Sequence, residues 1–482
     1  MLFNSIGYLI FLPATLLLYY AIPQRFRWLL LLAASYFFYL LWKPEFVVIL
    51  ATATLVSFLS AKKMGSIPEK RKRIKYLYIT IIVNLGMLIG FKYLGFFTEI
   101  VNQLAGFATG GEIRIASILM PVGISFYTFQ TIGYAVDVNR GMIKPEKHVG
   151  IYALFVSFFP LVLAGPIERG KKLLPQLHLD HPFNPDTFSS GLRLILWGVF
   201  KKIVIADRLS IFVQAIFNEP GYFHGFEIMI GIILKMMQVY ADFSGYTDIA
   251  IGSARLLGIN LSPNFNRPFS AQSVAAFWSR WHISLTTWLR DYVYFSLPHH
   301  FRGKTTQWLL NLNLIVTFVL VGFWHGPYWN FIIFGLLHGV YMVTANVTKP
   351  FMATFNRASG LVRHPQLLKN LNIIATLLLV MASGFFFGQH SMKETFLMMR
   401  NMADFSHTGS SMLELAKNLD FMTGIFLIIF MLWFEYMVAE KSVSAKFMRK
   451  PVYMRFAAYL LMVMFILVFG AFSNQKFFYF QF

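Results

Sequence analysis

The chain has 482 residues, of which 57% are hydrophobic and 13% charged, about half the charged share of a typical soluble domain, which excludes an ordinary water-soluble fold. The formal net charge is +21 and there is no cysteine, so disulfides, palmitoylation and an acyl-cysteine intermediate are excluded. The positive charge is not that of a nucleic-acid binder. It lies in short loops between apolar runs, where Lys and Arg keep a loop on the cytoplasmic side and touch anionic lipid.

A helix needs about 20 mostly apolar residues to cross a bilayer, and about eleven to thirteen transmembrane or re-entrant segments are expected on that measure. Clear apolar runs cover 8–22, 28–42, 76–95, 372–387, 421–437 and 456–472. The expected fold is an all-α polytopic membrane protein. The first run lacks a preceding basic segment and a following small-residue cleavage site, so it reads as a span and not as a signal peptide. Arg25 and Arg27 then fall inside, as does the basic loop at 62–75. The next span leads out to a loop near 97–115, and the chain returns at Arg140, Lys144 and Lys147.

The apolar run at 152–164 is too short to cross. A crossing there would also leave Glu168, Arg169, Lys171 and Lys172 outside. A re-entrant hairpin on the inner face resolves both points; the alternative is a few positive charges left outside, since orientation is a summed bias. Three regions are expected: N-terminal membrane helices at 1–114, a core at 115–348 with re-entrant segments, and C-terminal helices at 349–482. The last carries basic loops around Lys349 to Lys369 and Lys441 to Arg455, and an outer loop with an interfacial helix near 389–420. No internal repeat is visible, which argues against a transporter built from inverted repeats.

Polar chemistry concentrates between Tyr240 and His338. Tyr240, Asp242, Ser244 and Tyr246 follow an apolar run directly. They read either as the wall of a polar cavity or as a loop at the water interface. Asn264 and Asn266 come next. Trp278, Trp281, Leu285 and Trp288 then recur at three- and four-residue spacing, which predicts one amphipathic helix with His282 beside its aromatic face and Arg290 at its end. His282 alone reads as structural at least as readily as chemical.

The most informative motif is Gly322-Phe323-Trp324-His325-Gly326-Pro327. It ends an apolar run with a histidine at a break that no continuous helix wants. Arg302 and Lys304 favour starting that run inside, which takes His325 and Trp324 toward the outer half. An intramembrane histidine is a functional-site hypothesis by default. As a general base beside a substrate hydroxyl it contributes about 10²–10⁴ in rate. The bland alternative is a histidine bonding to backbone freed by the break.

These residues resemble one family. Pro121-Val122-Gly123-Ile124-Ser125-Phe126-Tyr127, Gly165-Pro166-Ile167-Glu168-Arg169, Tyr240-Ala241-Asp242-Phe243-Ser244-Gly245-Tyr246, Asn264-Phe265-Asn266-Arg267-Pro268, Phe277-Trp278-Ser279-Arg280-Trp281-His282 and Gly322-Phe323-Trp324-His325-Gly326 together are similar to the membrane-bound O-acyltransferases, in the branch of the bacterial alginate O-acetyltransferase membrane subunit. Each piece alone is weak; jointly, in this order over roughly 115–340, they are specific.

The resemblance implies that His325 is the catalytic histidine and His282 the supporting polar position, with helices arranged around a central polar cavity. It implies an acyl thioester, acetyl-CoA, as donor on the cytoplasmic side, with no bound cofactor and no metal. It further implies a polysaccharide acceptor, or a periplasmic partner with an SGNH-hydrolase-like acetyltransferase domain, and a place in the bacterial inner membrane. D-alanyl transfer to teichoic acid by the same fold, and a proton-coupled transporter or flippase, are the alternatives.

Overall fold

The computed structural model describes residues 1–106, 119–298, 300–301, 304–389, 391–406, 417–439, 447–472 and 477. The expectations that rest on Arg302, Lys441, Lys446, the end of the 97–115 loop and the middle of the 389–420 loop lie outside the described residues.

The described residues are almost entirely helical: α1 (Ile6–Ala21), α2 (Arg27–Leu40), α3 (Phe46–Gly65), α4 (Lys70–Leu88), α5 (Leu94–Gly106), α6 (Ile124–Arg140), α7 (Val149–Ser157), α8 (Gly170–His178), α9 (Pro185–Val199), α10 (Asp207–Asn218) and α11 (Gly225–Leu256) come first. Then follow α12 (Val274–Trp278), α13 (Ile283–Tyr292), α14 (Gln307–His325), α15 (Trp329–Ala358), α16 (Pro365–Gly384), α17 (Met392–Met402), α18 (Leu419–Ala439) and α19 (Val452–Phe469). One short antiparallel pair joins His300–Phe301 to Lys304–Thr305.

Seven helical segments among the described residues are long and apolar enough to cross a membrane: Phe46–Gly65, Lys70–Leu104, Gln307–His325, Trp329–Ala358, Pro365–Gly384, Leu419–Met437 and Val452–Phe469. Their outward faces are apolar. On α19, Val452 is 71% and Leu461 69% exposed, a surface that only lipid or another protein can solvate. The remaining apolar runs form shorter helices, as at Ile6–Ala21, or carry charges, as α11 does.

The chain divides into two compact units, 1–195 with 247–263, and 196–246 with 264–482; the 115–348 segment contributes to both. In the first unit, Tyr8, Phe11, Phe38 and Phe159 form one aromatic cluster. Buried hydroxyls find partners within it: Tyr152 donates to Ser57 at 2.8 Å and Thr131 to Asn84 at 3.0 Å. Helix α7 is 9 residues long, about 14 Å of rise, and ends in turns through 158–165 that are wholly buried. Gly123, at φ +78, permits this: a Cβ there would lie 1.9 Å from the Val162 carbonyl oxygen. Glu168, also buried, accepts from the Ser262 backbone N–H and lies 3.7 Å from Lys172.

In the second unit α14 and α15 pack backbone against backbone. A Cβ on Gly322 would lie 2.0 Å from the Phe331 carbonyl oxygen, and one on Gly335 2.2 Å from that of Phe318. Small residues let membrane helices approach this closely, and the seam fixes the end of α14.

Candidate active site

His325 is the last residue of α14, and Gly326 continues in extended backbone. The histidine is 3% exposed. Its ring packs against Trp324, Phe387, Phe331 and Phe334 at centroid distances of 5.0, 5.0, 6.1 and 6.1 Å. It lines a cavity of about 60 Å³. That is room for about four water-sized atoms. The other walls include Trp278, Trp281, Phe334, His338 and Lys235.

His282 sits one tryptophan away. Its ring is 5.4 Å from Trp324, which in turn is 5.0 Å from His325, and 4.7 Å from Phe243. It is fully buried but does not line the cavity. The single helix expected over 275–289 is in fact two, α12 and α13. His282 forms the joint in a left-handed conformation at φ 44, one of two non-glycine residues with positive φ among those described. Asn264 explains the break. Its backbone oxygen accepts from Ile283 N–H at 2.9 Å and its Oδ1 from Ser284 N–H at 3.1 Å, so a distant residue caps the second helix.

Oδ1 of Asn264 also accepts from the Ser284 hydroxyl and faces His282 Nδ1 at 3.2 Å. An oxygen already accepting a backbone N–H meets Nδ1 as a donor, which makes Nε2 the basic nitrogen of His282. Burial pulls this imidazole down to about 3, so it is neutral.

A third histidine was not singled out by the sequence. His338 on α15 is fully buried and lines the same cavity. Trp278 donates its indole N–H to His338 Nδ1 at 3.2 Å. His338 Nε2 therefore carries the proton and donates to Ser383 Oγ at 2.9 Å, and Ser383 donates to the Val380 carbonyl. Both ring nitrogens are therefore occupied, Nδ1 by Trp278 and Nε2 by Ser383.

Over residues 148–392 the chain matches the model of the membrane-bound O-acyltransferase family, MBOAT. The chain belongs to this family. It is 36% identical to a probable alginate O-acetylase, AlgI, of Pseudomonas aeruginosa, over 84% of this chain and 75% of that one. It is 32% identical to a peptidoglycan O-acetyltransferase of Helicobacter pylori, covering 70% and 69%. A teichoic acid D-alanyltransferase of Bacillus subtilis is 31% identical over 47% of this chain and 58% of its own. The chain is therefore a multi-pass membrane O-acyltransferase, and His282, His325, His338 and the cavity all fall within the matched residues.

The other polar residues of this acyltransferase serve different surroundings. The stretch 240–248 is neither loop nor interface; it is continuous helix within α11. Asp242 pairs with Lys202 at 2.7 Å, and Lys202 also holds Asp207 at 2.8 Å. Tyr240 donates to Glu435 at 2.6 Å, and Glu435 lies 3.6 Å from Lys201. Tyr240 reaches the cavity only through its ring, 5.9 Å from Trp281.

Both lysines belong to a buried π-helical turn, Phe200–Ala206, a distortion frequent near functional sites. Ser244 and Tyr246 are buried on α11, Tyr246 stacked 4.5 Å from Phe477. Trp288 is buried beside Tyr292. Arg290 is exposed and paired with Asp291 at 2.9 Å, and Asn266 is exposed, tied by its backbone to Arg280.

The sequence reading passed over Lys201, Lys202, Asp207, Lys235, His338 and Glu435. The signal available for each was an ionisable residue inside an apolar run.

Proposed function

We propose that this acyltransferase is an O-acetyltransferase of the bacterial cytoplasmic membrane, taking acetyl from acetyl-CoA on the cytosolic side. The acceptor is a hydroxyl of an extracytoplasmic polysaccharide, reached directly or through a periplasmic partner with an SGNH-hydrolase-like domain. The observation that carries this reading is His325 in the wall of a small, mostly apolar cavity. An acetyl group has three heavy atoms and suits that volume. The greater identity and coverage of the O-acetylase and O-acetyltransferase relatives favour acetyl over D-alanyl.

In this mechanism His325 takes the proton of the acceptor hydroxyl as its oxygen attacks the thioester carbonyl. The tetrahedral intermediate collapses with cleavage of the C–S bond, and the imidazolium returns its proton to the departing thiolate. An ester and a free thiol result, and the histidine is regenerated. His282, neutral and packed on Trp324, sets the position of the Trp324–His325 pair.

Membranes supplied with labelled acetyl-CoA should label a glycan or a partner protein. His325→Ala should lower that transfer by at least about 10²-fold while the protein remains inserted. Near-normal transfer by the variant would sink the assignment. Flipping or uptake in proteoliposomes without thioester turnover would make the protein a transporter instead.

A further inference from the structure

Buried lysines in the second unit are matched by carboxylates, with one exception. Lys202 holds two aspartates and Lys201 faces Glu435. Lys235, on α11, is 6% exposed and forms no ion pair among the described residues. Its Nζ lies 3.6 Å from the centre of the Phe217 ring. A lysine near a membrane surface normally snorkels its ammonium to water; this one ends on an aromatic face, an arrangement that suits a cation. Burial without a counter-charge pulls this ammonium down to about 7, and buried groups of this kind mark functional sites.

Lys235 lines the same cavity as His325. Among the described residues, no carboxylate lines that cavity. Its polar groups are Lys235, the two histidines and the indoles of Trp278 and Trp281, set among Ile232, Val239, Val380 and other apolar side chains. A second cation entering here would meet a like charge in a low-dielectric site with no acid to receive it, and the repulsion there far exceeds its value in water.

We propose that Lys235 is a specificity-determining residue that sets the charge of the acyl group accepted beside His325, admitting an uncharged acyl group and rejecting an ammonium-bearing aminoacyl group. The inference rests on the reading of this cavity as the acyl site of a thioester-dependent transferase.

Two thioesters of equal size separate charge from volume: propionyl-CoA and glycyl-CoA, which differ only by a methyl in place of an ammonium. The chain has no cysteine, so thiol release, with glycerol as the hydroxyl acceptor, can be followed with a disulfide reagent on the purified protein in nanodiscs. The assay is run at about pH 6, below both the lowered value of about 7 for Lys235 and the pKa of the glycyl amine. The wild type should turn over propionyl-CoA well ahead of glycyl-CoA. Lys235→Met should reduce that preference at least about tenfold, mainly by raising glycyl turnover. Lys235→Arg, which keeps the charge, should retain it.

An unchanged preference in Lys235→Met, or equal use of both thioesters by the wild type, overturns the proposal. If this stand-in acceptor supports no turnover of either thioester, the test passes to binding. Binding of the non-hydrolysable ketone analogues of the same two thioesters then decides the charge filter: equal affinity in wild type and Lys235→Met overturns it, and a shift in their ratio upholds it. Retained thermal stability of Lys235→Met confirms that any change is not a folding defect.

Discussion

Two buried sets of charges share the second unit and are handled in opposite ways. Around the π-helical turn, Lys202 is clamped between Asp207 and Asp242, and Lys201 meets Glu435 with Tyr240 donating to the same carboxylate. Around the cavity, Lys235 stands beside two histidines and apolar rings, with no acid in the wall among the described residues. In the first set each lysine is met by at least one carboxylate. The second leaves its cation to be answered, or opposed, by whatever enters. Burial of charge alone therefore does not mark the site; the state of its pairing does.

The comparison breaks first on activity. His325→Ala should remove transfer by about 10²–10⁴-fold with little change in melting temperature, because the residue supplies chemistry. Lys202→Met should act the other way, on stability: it leaves two buried carboxylates unanswered, a loss of about 3–5 kcal/mol, read as a lower Tm in detergent. Asn264→Ala should fall between. It deprives Ser284 N–H, the Ser284 hydroxyl and His282 of one acceptor, costing about 1–3 kcal/mol, and should lower turnover as the His282 joint relaxes. Equal stability loss in Lys202→Met and Lys235→Met would erase the distinction between the two sets.

The smallest effect is expected at a half-exposed pair in the first unit. Glu146 accepts from His178 at 2.8 Å and from the Lys147 and His148 backbone N–H groups. Burial pushes its carboxyl up, but these partners together hold it below the usual value of 4.5. A carboxylate so depressed stabilises the fold above its unfolded pKa, and that contribution is lost as pH falls through the lowered folded value. Thermal melts from neutral pH down past 4.5 should show a small acid-side loss that Glu146→Gln lacks. Identical curves for the two proteins would remove Glu146 from the account.

The membrane class and the helix break at His325 were legible because each is a local pattern: an apolar run of bilayer length, and Gly-Pro punctuation after a histidine. The joint at His282 was not legible. Nothing between Ser279 and Trp281 forbids helix, and the cap that splits it comes from Asn264, 18 residues upstream of His282. His338 hid in an ordinary span because its partner Trp278 is 60 residues away. Tyr240 and Asp242 stayed open between cavity wall and interfacial loop because their partners are also distant: Glu435, 195 residues beyond Tyr240, and Lys202. Periodicity reports which face is apolar; it does not report which polar atoms are already taken.

The glycine seam between α14 and α15 has a mechanical consequence. Helix α15 has 30 residues, about 45 Å of rise, and its far end runs into the basic stretch near Lys349 and Arg357. At its near end Gly322 and Gly335 place the two backbones in direct contact, so neither helix can slide along the other without parting that contact. A methyl added at Gly322 would have to part the seam, and His325, at the end of the same helix, would be carried with it.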